Sequence, residues 1–537
     1  MSSGSGRQIS RRDMIRRGIA GAAGLAGSEL TSGGLREASA QTHRRPNVIV
    51  FHTDDQDFNT IGCYGAEVMT PHFDSIANTG VLFSRGYVTT GVCMASRYAL
   101  ITGQFPSRCM HPRFLSEFPK NVPTEPAFNT PLAEGQDTIA SVLQNAGYAT
   151  GFVGKWNIGS EYIDPSQRQK VPVANVWANA WKECDDDLDV RDPKITAMLQ
   201  HNHDLQREGI KRFGFDYAEC ITTNPESYSS RTLNYHNPEW ITDGALDFIN
   251  QNSEQPFFLY LNHTLHHIPH PQESLLNGDP RVTTSGYLDR VPDCMAPRRE
   301  IYERVIREGF SPETAYCTWM DDALGAVLNR LGELNLTDDT LIMLISDNNV
   351  PGKATIYEGG VNVPCLMKYP RRVEGGRRTG SLTQNTDFAP TIFDVCGVEA
   401  PASMRIDGAS IMPMLTGERD RVHDDLFFEI GWTRAVCTEQ YKYLAVRLSE
   451  RGEKRRVSKG GAFPWVYHGS ALEPHQHHVL LWHPAFLYPD QLYDLNIDPN
   501  EVVNLSSNTD YNGVLDDMKG RMKRYCQSFD NPFGEFA

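Results

Sequence analysis

The chain predicts an α/β fold: a large mixed β-sheet sandwiched by helices, followed by a smaller C-terminal α+β subdomain with an antiparallel sheet. Three observations lead there. Short apolar runs alternate with longer segments whose apolar residues recur every three or four positions, the pattern of buried strands covered by helices. Two of those runs end in carboxylate-bearing pairs, Asp54-Asp55 and Asp347-Asn348, as expected at the carboxyl ends of strands in an open α/β sheet. From about residue 420 the runs become strand-like at short spacing, which reads as a meander rather than as βαβ units.

Taken in order, the strand candidates are Asn47–Phe51, Ala149–Val153, Pro256–Leu261, Thr340–Ile345 and Cys365–Tyr369. The clearest helix opens with Ser311 as N-cap and Pro312 at the first helical position. Its apolar residues Tyr316, Met320, Leu324, Val327, Leu328 and Leu331 form one face for the core. Asp387 to Cys396 reads as a shorter helix ended near Gly397. Leu426–Ile430, Thr433–Thr438 and Lys442–Val446 are the antiparallel strands, and Asn512–Cys526 is a helix to pack on them. Two segments, about 160–210 and 450–490, carry little periodicity and read as long binding loops. The second holds His468, His475, His477, His478 and His483 at spacings that fit no metal template.

Composition narrows the function. Hydrophobic residues make up 40% of 537, normal for a globular enzyme. The net charge of −16 argues against a nucleic-acid partner, which requires a basic surface. No stretch reaches the roughly 18 consecutive apolar residues of a membrane span, so no stable membrane insertion is expected. Ser10-Arg11-Arg12-Asp13-Met14-Ile15-Arg16 resembles a twin-arginine export motif, Gly18–Gly27 is Gly/Ala-rich, and Ala38-Ser39-Ala40 offers a small-residue cleavage site. Residues 1–40 therefore read as a signal for the twin-arginine machinery, 44–420 as a catalytic domain and 421–537 as the C-terminal subdomain. The expected location is periplasmic or extracellular. The eleven cysteines include no C-x-x-C pair, so neither a zinc site nor a redox motif is indicated.

The chemistry centres on Cys93-Met94-Ala95-Ser96-Arg97. A helix starting at Ser96 and stopped by Thr102-Gly103 would place a nucleophile at a helix N-terminus, a ready anion site. Asp54, Asp55, Asp347 and Asn348 offer oxygen ligands from two strand ends, which suit Ca²⁺ or Mg²⁺ better than zinc. A Cys in an oxygen-ligand site is odd unless it is no longer a thiol.

These residues carry a resemblance. The chain is similar to type I sulfatases of the alkaline-phosphatase superfamily, whose signature reads C-x-(P/A)-S-R followed by Leu-Thr-Gly. Here Cys93-Met94-Ala95-Ser96-Arg97 precedes Leu100-Ile101-Thr102-Gly103. Further matches run in order: Asp54-Asp55, Gly154-Lys155-Trp156, Pro256–Tyr260, Ser346-Asp347-Asn348, Lys353 with Tyr357-Glu358-Gly359-Gly360, and Leu492-Tyr493-Asp494-Leu495 with Asn504-Leu505. The resemblance implies an alkaline-phosphatase-like fold and hydrolysis of sulfate monoesters, including those of sulfated carbohydrates. It implies that a maturation enzyme converts Cys93 to formylglycine, whose hydrated aldehyde is the nucleophile. It also implies one Ca²⁺, with Mg²⁺ the lesser choice, held by Asp54, Asp55, Asp347 and Asn348 and completed by the modified Cys93.

By the same resemblance Arg97 steadies the modified residue, Lys155 bridges it to sulfate, and Lys353 is a second sulfate-binding lysine. His267, in His266-His267-Ile268-Pro269, matches a P-H-x-P site and protonates the leaving oxygen, a task suited to histidine. One departure stands out. The family carries Lys-x-His where this chain reads Lys155-Trp156-Asn157, and an amide cannot serve as the base that helps expel sulfate. Two rival readings follow: a phosphonate or phosphate ester hydrolase using the same nucleophile, and a catalytically impaired binder of sulfated glycans. The motifs describe a sulfate pocket and leave the alcohol unspecified.

Overall fold

Asn47–Thr53, seven consecutive buried residues, form β1 near the middle of the main sheet. The computed structural model describes residues 44–159, 182, 187–222, 230–450, 452–454 and 482–536. Residues 1–40, read from sequence as an export signal, and four of the five histidines of the second loop lie outside them. The other described strands are β2 (Val81–Phe83), β3 (Gly86–Tyr87), β4 (Ala149–Lys155), β5 (Tyr217–Thr222), β6 (Phe257–Asn262), β7 (Val282–Thr283), β8 (Gly286–Tyr287), β9 (Thr340–Ser346), β10 (Cys365–Lys368), β11 (Arg377–Thr379), β12 (Thr383–Gln384), β13 (Leu426–Ile430), β14 (Thr433–Cys437), β15 (Tyr441–Val446) and β16 (Asp490–Asp494). The main sheet runs β11-β2-β10-β9-β1-β6-β4-β5. Its pairings are parallel except those of β10 with β9 and β2, so the sheet is mixed as expected.

Both faces of the sheet are covered, which is why β1 and β9 read as continuous apolar runs rather than alternating ones. Val48 and Val50 of β1 pack with Tyr98, Leu100, Ile139 and Phe388 on one side. Ile49 and Phe51 pack with Trp240, Phe248, Trp319 and Leu324 on the other. Burying each such side chain contributes about 1.5–3 kcal/mol, and the two layers are the main source of stability.

Several expected boundaries move. The Ser311 helix opens as a 3₁₀ turn over Pro312–Thr314, the α-helix runs Ala315–Glu333, and Ser311 makes no side-chain cap bond. The helix expected from Ser96 begins three residues earlier and spans Cys93–Thr102, ended by Gly103 in the left-handed conformation (φ 66°). Part of the first presumed loop is a helix, Pro193–Lys211, with Asp192 capping it through Lys194 N. Its buried positions include Asn202, His203 and Gln206, so its inner face is too polar for an apolar period to reveal. His483, read as part of a binding loop, is buried and stacks on Tyr357 with centroids 3.7 Å apart.

The C-terminal sheet, β13-β14-β15-β16, is an antiparallel meander. The helix Asn512–Cys526 lays Met518, Met522 and Cys526 on Phe427, Val436, Tyr443 and Leu492. Buried Arg434 pairs with Glu429 (3.3 Å) and reaches the Thr124 carbonyl (2.8 Å), joining this sheet to the segment after the Cys93 helix. The ten cysteines among the described residues are free thiols. No described helix is long and apolar enough to cross a membrane.

Gly154 makes the sharpest demand on the sheet. Its φ is +98°, and a Cβ there would lie 1.8 Å from the carbonyl oxygen of Asn262 on β6. The neighbouring register shift between Val153 and Lys155 aims the Lys155 side chain off the end of β4. Gly154→Ala is expected to cost at least about 3 kcal/mol, because it adds left-handed strain to a backbone clash. Thermal unfolding of the purified variant measures this.

Candidate active site

Parallel pairing decides what meets at the sheet edge. Thr53 of β1 is in register with Ser346 of β9, so the residues that follow, Asp54-Asp55 and Asp347-Asn348, emerge side by side. On the other flank His52 and Gly154 are both in register with Asn262 of β6, which brings Lys155 to the same edge. Backbone bonds fix the emergent turns: Asp347 N donates to the Thr53 carbonyl (3.1 Å) and Asp54 N to that of Leu265 (2.9 Å). Gln56 N donates to Ser346 Oγ (2.9 Å). Asp55 sits in the left-handed region (φ 56°), which turns its carboxylate back over the edge.

The helix Cys93–Thr102 points its first residue into this edge. Cys93 Sγ lies 3.7 Å from Asp54 Oδ1 and 3.4 Å from Asn348 Nδ2. Arg97, one turn on, is wholly buried. Its guanidinium contacts Asp347 Oδ2 at 2.8 Å through one terminal nitrogen, and donates at 3.0 Å through Nε. The other terminal nitrogen donates to Asn262 Oδ1 at 2.6 Å. Lys155 Nζ donates to Asp54 Oδ2 at 2.5 Å. Lys353 Nζ spans both oxygens of Asp55 at 2.6 and 2.8 Å. His267 donates from Nδ1 to the Ile268 carbonyl (3.0 Å) and turns Nε2 towards Asp55 Oδ2 (3.7 Å). All nine residues singled out in the sequence thus belong to one connected cluster.

Burial and mutual charge set the ionisation. Burial, reinforced by Asp347, pushes the Asp54 carboxyl up to about 6 against the pull of Lys155 and His267. Burial also raises Asp347 and Asp55, but Arg97 and Lys155 outweigh it for Asp347, and Lys353 and His267 for Asp55, so both stay ionised. Burial and Asp347 push the Cys93 thiol up, against Lys155 and Lys353. A thiol held protonated is a poor nucleophile. Burial and Lys353 oppose charge on His267, yet Asp55 and Asp54 hold it well above the ordinary histidine range.

The donor set suits a hard cation. Ligand atoms of Asp54, Asp55, Cys93 and His267 all lie within 4.8 Å of one another. Asn348 Oδ1 is buried with no hydrogen-bond partner, as expected of an amide oxygen kept for a metal. Asp347 bridges this group, accepting Asp55 N (3.1 Å) and Asn348 Nδ2 (2.9 Å) on Oδ1.

Sequence reasoning missed three supporting residues. Asn262 is the polar last residue of an otherwise apolar strand, the one local signal that it faces a site. His236 holds the His267 turn, with Nε2 donating to the His267 carbonyl (2.8 Å) and Nδ1 accepting from Thr264 Oγ1 (2.8 Å). Asn385 donates to the Ser96 carbonyl (2.9 Å) and so steadies the Cys93 helix. Neither of the last two carries a local signal, because each works across a large separation in the chain. Asn157 is buried, left-handed (φ 52°), and its Oδ1 has no hydrogen-bond partner.

Other proteins share this architecture. The solved phosphonate monoester hydrolase of Agrobacterium radiobacter superposes with a TM-score of 0.57 at 18% identity, covering 90% of this chain and 96% of its own. That likeness is one of fold. A sulfatase family model matches residues 46–398, and the chain belongs to the sulfatase family. Residues 350–447 also match a model of the C-terminal region of N-sulphoglucosamine sulphohydrolase. Human arylsulfatase A is 26% identical over 86% of this chain and 83% of its own length. The N-acetylgalactosamine-6-O-sulfatase of Bacteroides thetaiotaomicron is 24% identical over 88% and 92%. The protein is a sulfatase, an enzyme that hydrolyses sulfate esters.

A protonated Asp54 competes with a cation for the same oxygens. Cation affinity is therefore expected to rise with pH through about 6, with proton release on binding at lower pH. Calorimetric titration of the metal-free protein with Ca²⁺ at pH 5 and pH 8, in buffers of different ionisation heat, measures both effects. Equal affinity at the two pH values would show that Asp54 is not a ligand.

Proposed function

We propose that this enzyme is exported and hydrolyses sulfate monoesters of carbohydrates, using formylglycine made from Cys93 and a bound Ca²⁺. One observation carries the reading most. Cys93 opens a buried helix with its Sγ against Asp54 and Asn348, inside the cation-sized cluster, yet its environment disfavours the thiolate. That arrangement makes little sense for a reactive thiol and good sense for a residue chemically converted to a hydroxyl donor. The carbohydrate substrate is supported by the sugar sulfatase among its relatives.

Asp54, Asp55, Asp347 and Asn348 would hold the cation, which would supply Lewis acidity to the sulfate. Once Cys93 is converted, its hydrated aldehyde would supply the hydroxyl that displaces the alcohol from sulfur, and sulfate would leave as the second hydroxyl collapses to the aldehyde. The remaining work falls to side chains already in place. Lys155 and Lys353 neutralise the non-bridging oxygens, and Arg97 keeps the helix N-terminus and Asp347 in register. His267, whose Nδ1 proton is committed to the Ile268 carbonyl, offers the proton on Nε2 to the departing oxygen. Three carboxylates are matched by three permanent cations, so a divalent ion leaves the pocket positive. That is how a chain of net charge −16 attracts an anion.

Cys93→Ala is expected to lower turnover of a chromogenic sulfate ester by about 10⁴-fold or more, with the melting temperature little changed. In the parent protein, coexpressed with a formylglycine-generating enzyme, intact mass should fall by about 18 Da at Cys93. Appreciable activity in the alanine variant would overturn the mechanism. Faster turnover of phosphate or phosphonate esters than of sulfate esters would favour the first rival reading.

Asn157 gives the second test. An unpartnered buried amide oxygen stands where the family has a base, so alcohol release is expected to outrun sulfate release. Pre-steady-state assays should show a burst of alcohol and then slow turnover. Asn157→His should speed the slow phase, since general base catalysis contributes about 10²–10⁴-fold. No burst and no gain would mean that another group already serves as base. No alcohol release from fully modified enzyme, with sulfated sugars still bound, would favour the binding-only reading.

A further inference from the structure

The turn that carries Lys353 is gripped from two sides. On the nucleophile side Ala354 N donates to the Gly91 carbonyl (2.8 Å), two residues before Cys93. A Cβ on Gly91 would come within 2.3 Å of the Thr355 carbonyl oxygen, so the two backbones are in direct contact. The turn closes on itself through Gly352 N and the Gly359 carbonyl (2.7 Å). On the far side it ends in Glu358, and there the C-terminal sheet takes hold. Lys442 of β15 is fully buried, with Nζ 2.9 Å from Glu358 Oε1 and 3.3 Å from Glu501 Oε1. Glu501 Oε2 in turn accepts the backbone N–H of Glu358. Tyr87 Oη (3.0 Å) and Asn362 Nδ2 (3.2 Å) donate to Glu358 Oε2. Tyr357 beside it donates to Gln491 Oε1 (2.5 Å) and stacks on His483.

A fully buried lysine paired with a fully buried glutamate, Glu501, and a partly buried one, Glu358, is a costly way to fill a core. Isosteric apolar residues would serve stability as well or better. What the charges add is directional hold on one residue, Glu358, at the base of the turn that delivers Lys353 to Asp55. We infer that Lys442, on β15 of the C-terminal sheet, and Glu501, in the segment after β16, are positioning residues: together they lock Glu358 so that the Lys353 ammonium is presented to the sulfate. The inference rests on the assignment of Lys353 to sulfate made above, and it adds a function for the C-terminal sheet in sulfate affinity.

A double-mutant cycle tests it on the full-length, modified enzyme. Lys442→Gln keeps a donor for Glu358 but loses the charge, and Glu501→Gln is nearly isosteric. Each is made in the parent and in a Lys353→Ala background. The readouts are KM for a chromogenic sulfate ester and inhibition by inorganic sulfate, with melting temperature as a folding check. A charge-assisted hydrogen bond is worth about 1.5–3 kcal/mol, so KM and the sulfate inhibition constant should rise by about tenfold or more in Lys442→Gln. Glu501→Gln should shift them the same way by less. Neither should change them further once Lys353 is alanine. Folded variants with unchanged constants, or equal losses in both backgrounds, would overturn the positioning role. If Lys442→Gln fails to fold, Glu501→Gln and Tyr87→Phe decide by the same criteria. Unchanged constants in Lys353→Ala alone would instead refute the assignment of Lys353 to sulfate, a result distinct from additive losses.

Discussion

One buried guanidinium holds the site together. Arg97 reaches from the Cys93 helix to Asp347 after β9, to Asn262 at the end of β6, and to the carbonyl of Lys155 at the end of β4 (3.4 Å). Three strands and one helix are thereby tied at a single charged group with no exposure to solvent. A lysine could not do this, because one ammonium cannot satisfy three partners lying in the plane of a fork. The cost of burying the charge is offset by Asp347 and, at 3.8 Å, by Asp54. The anchor also explains why Asp347 stays ionised while burial and Asp347 push its neighbour Asp54 up to about 6. Remove Arg97, and the site would lose both its geometry and its pattern of charges.

From that anchor the pocket divides into a rigid floor and two inserted arms. Asp54, Asp55, Asp347, Asn348 and Lys155 leave strand ends directly, and Cys93 leaves a helix end, so the main sheet fixes their relative positions. His267 and Lys353 arrive on turns, which have no such support of their own. Each turn is secured by buried groups elsewhere in the chain: His236 beneath the first, Lys442 with Glu501 behind the second. Placing charged or hydrogen-bonded groups under exactly those two turns is what preorganisation requires, since a displaced donor contributes little to stabilising charge that develops during reaction.

The same division governs what could be read from sequence. The floor was legible because its signals are local: an apolar run followed at once by Asp-Asp or Asp-Asn, and a five-residue motif beside a Gly-stopped helix. Its helix was still placed three residues late, since Cys93 and Met94 carry no capping signal and Val92 makes no side-chain cap bond. The supports were illegible for the opposite reason. His236, Asn385, Lys442 and Glu501 each act on a partner far away in sequence, and in one chain a buried lysine looks like any solvated one. The helix Pro193–Lys211 escaped notice because it buries amides and a histidine as well as leucine and isoleucine. The strand β16 was read only as a Leu-Tyr-Asp motif, although its central residues are as buried as those of its neighbours.

The acidic surface and the anionic substrate are reconciled by how short-ranged the pocket's field is. At physiological salt, exposed charges more than about 8 Å apart are largely screened, whereas buried ones are not. The excess of Asp and Glu therefore acts as a solvated exterior, while Arg97 and Lys155 are fully buried and Lys353 is largely so. Within the pocket carboxylates and cations are paired one to one, at distances of 2.5–2.8 Å for Asp54, Asp55 and Asp347. Each lysine is held by a carboxylate that a cation would also bind, at the centre where a sulfate oxygen would compete for the ammonium. An ion entering among the carboxylates would weaken their hold on the lysines and free both ammonium groups for the substrate. Cation binding and sulfate binding would then favour one another, so carboxylates that by charge alone repel an anion would make its site responsive to metal.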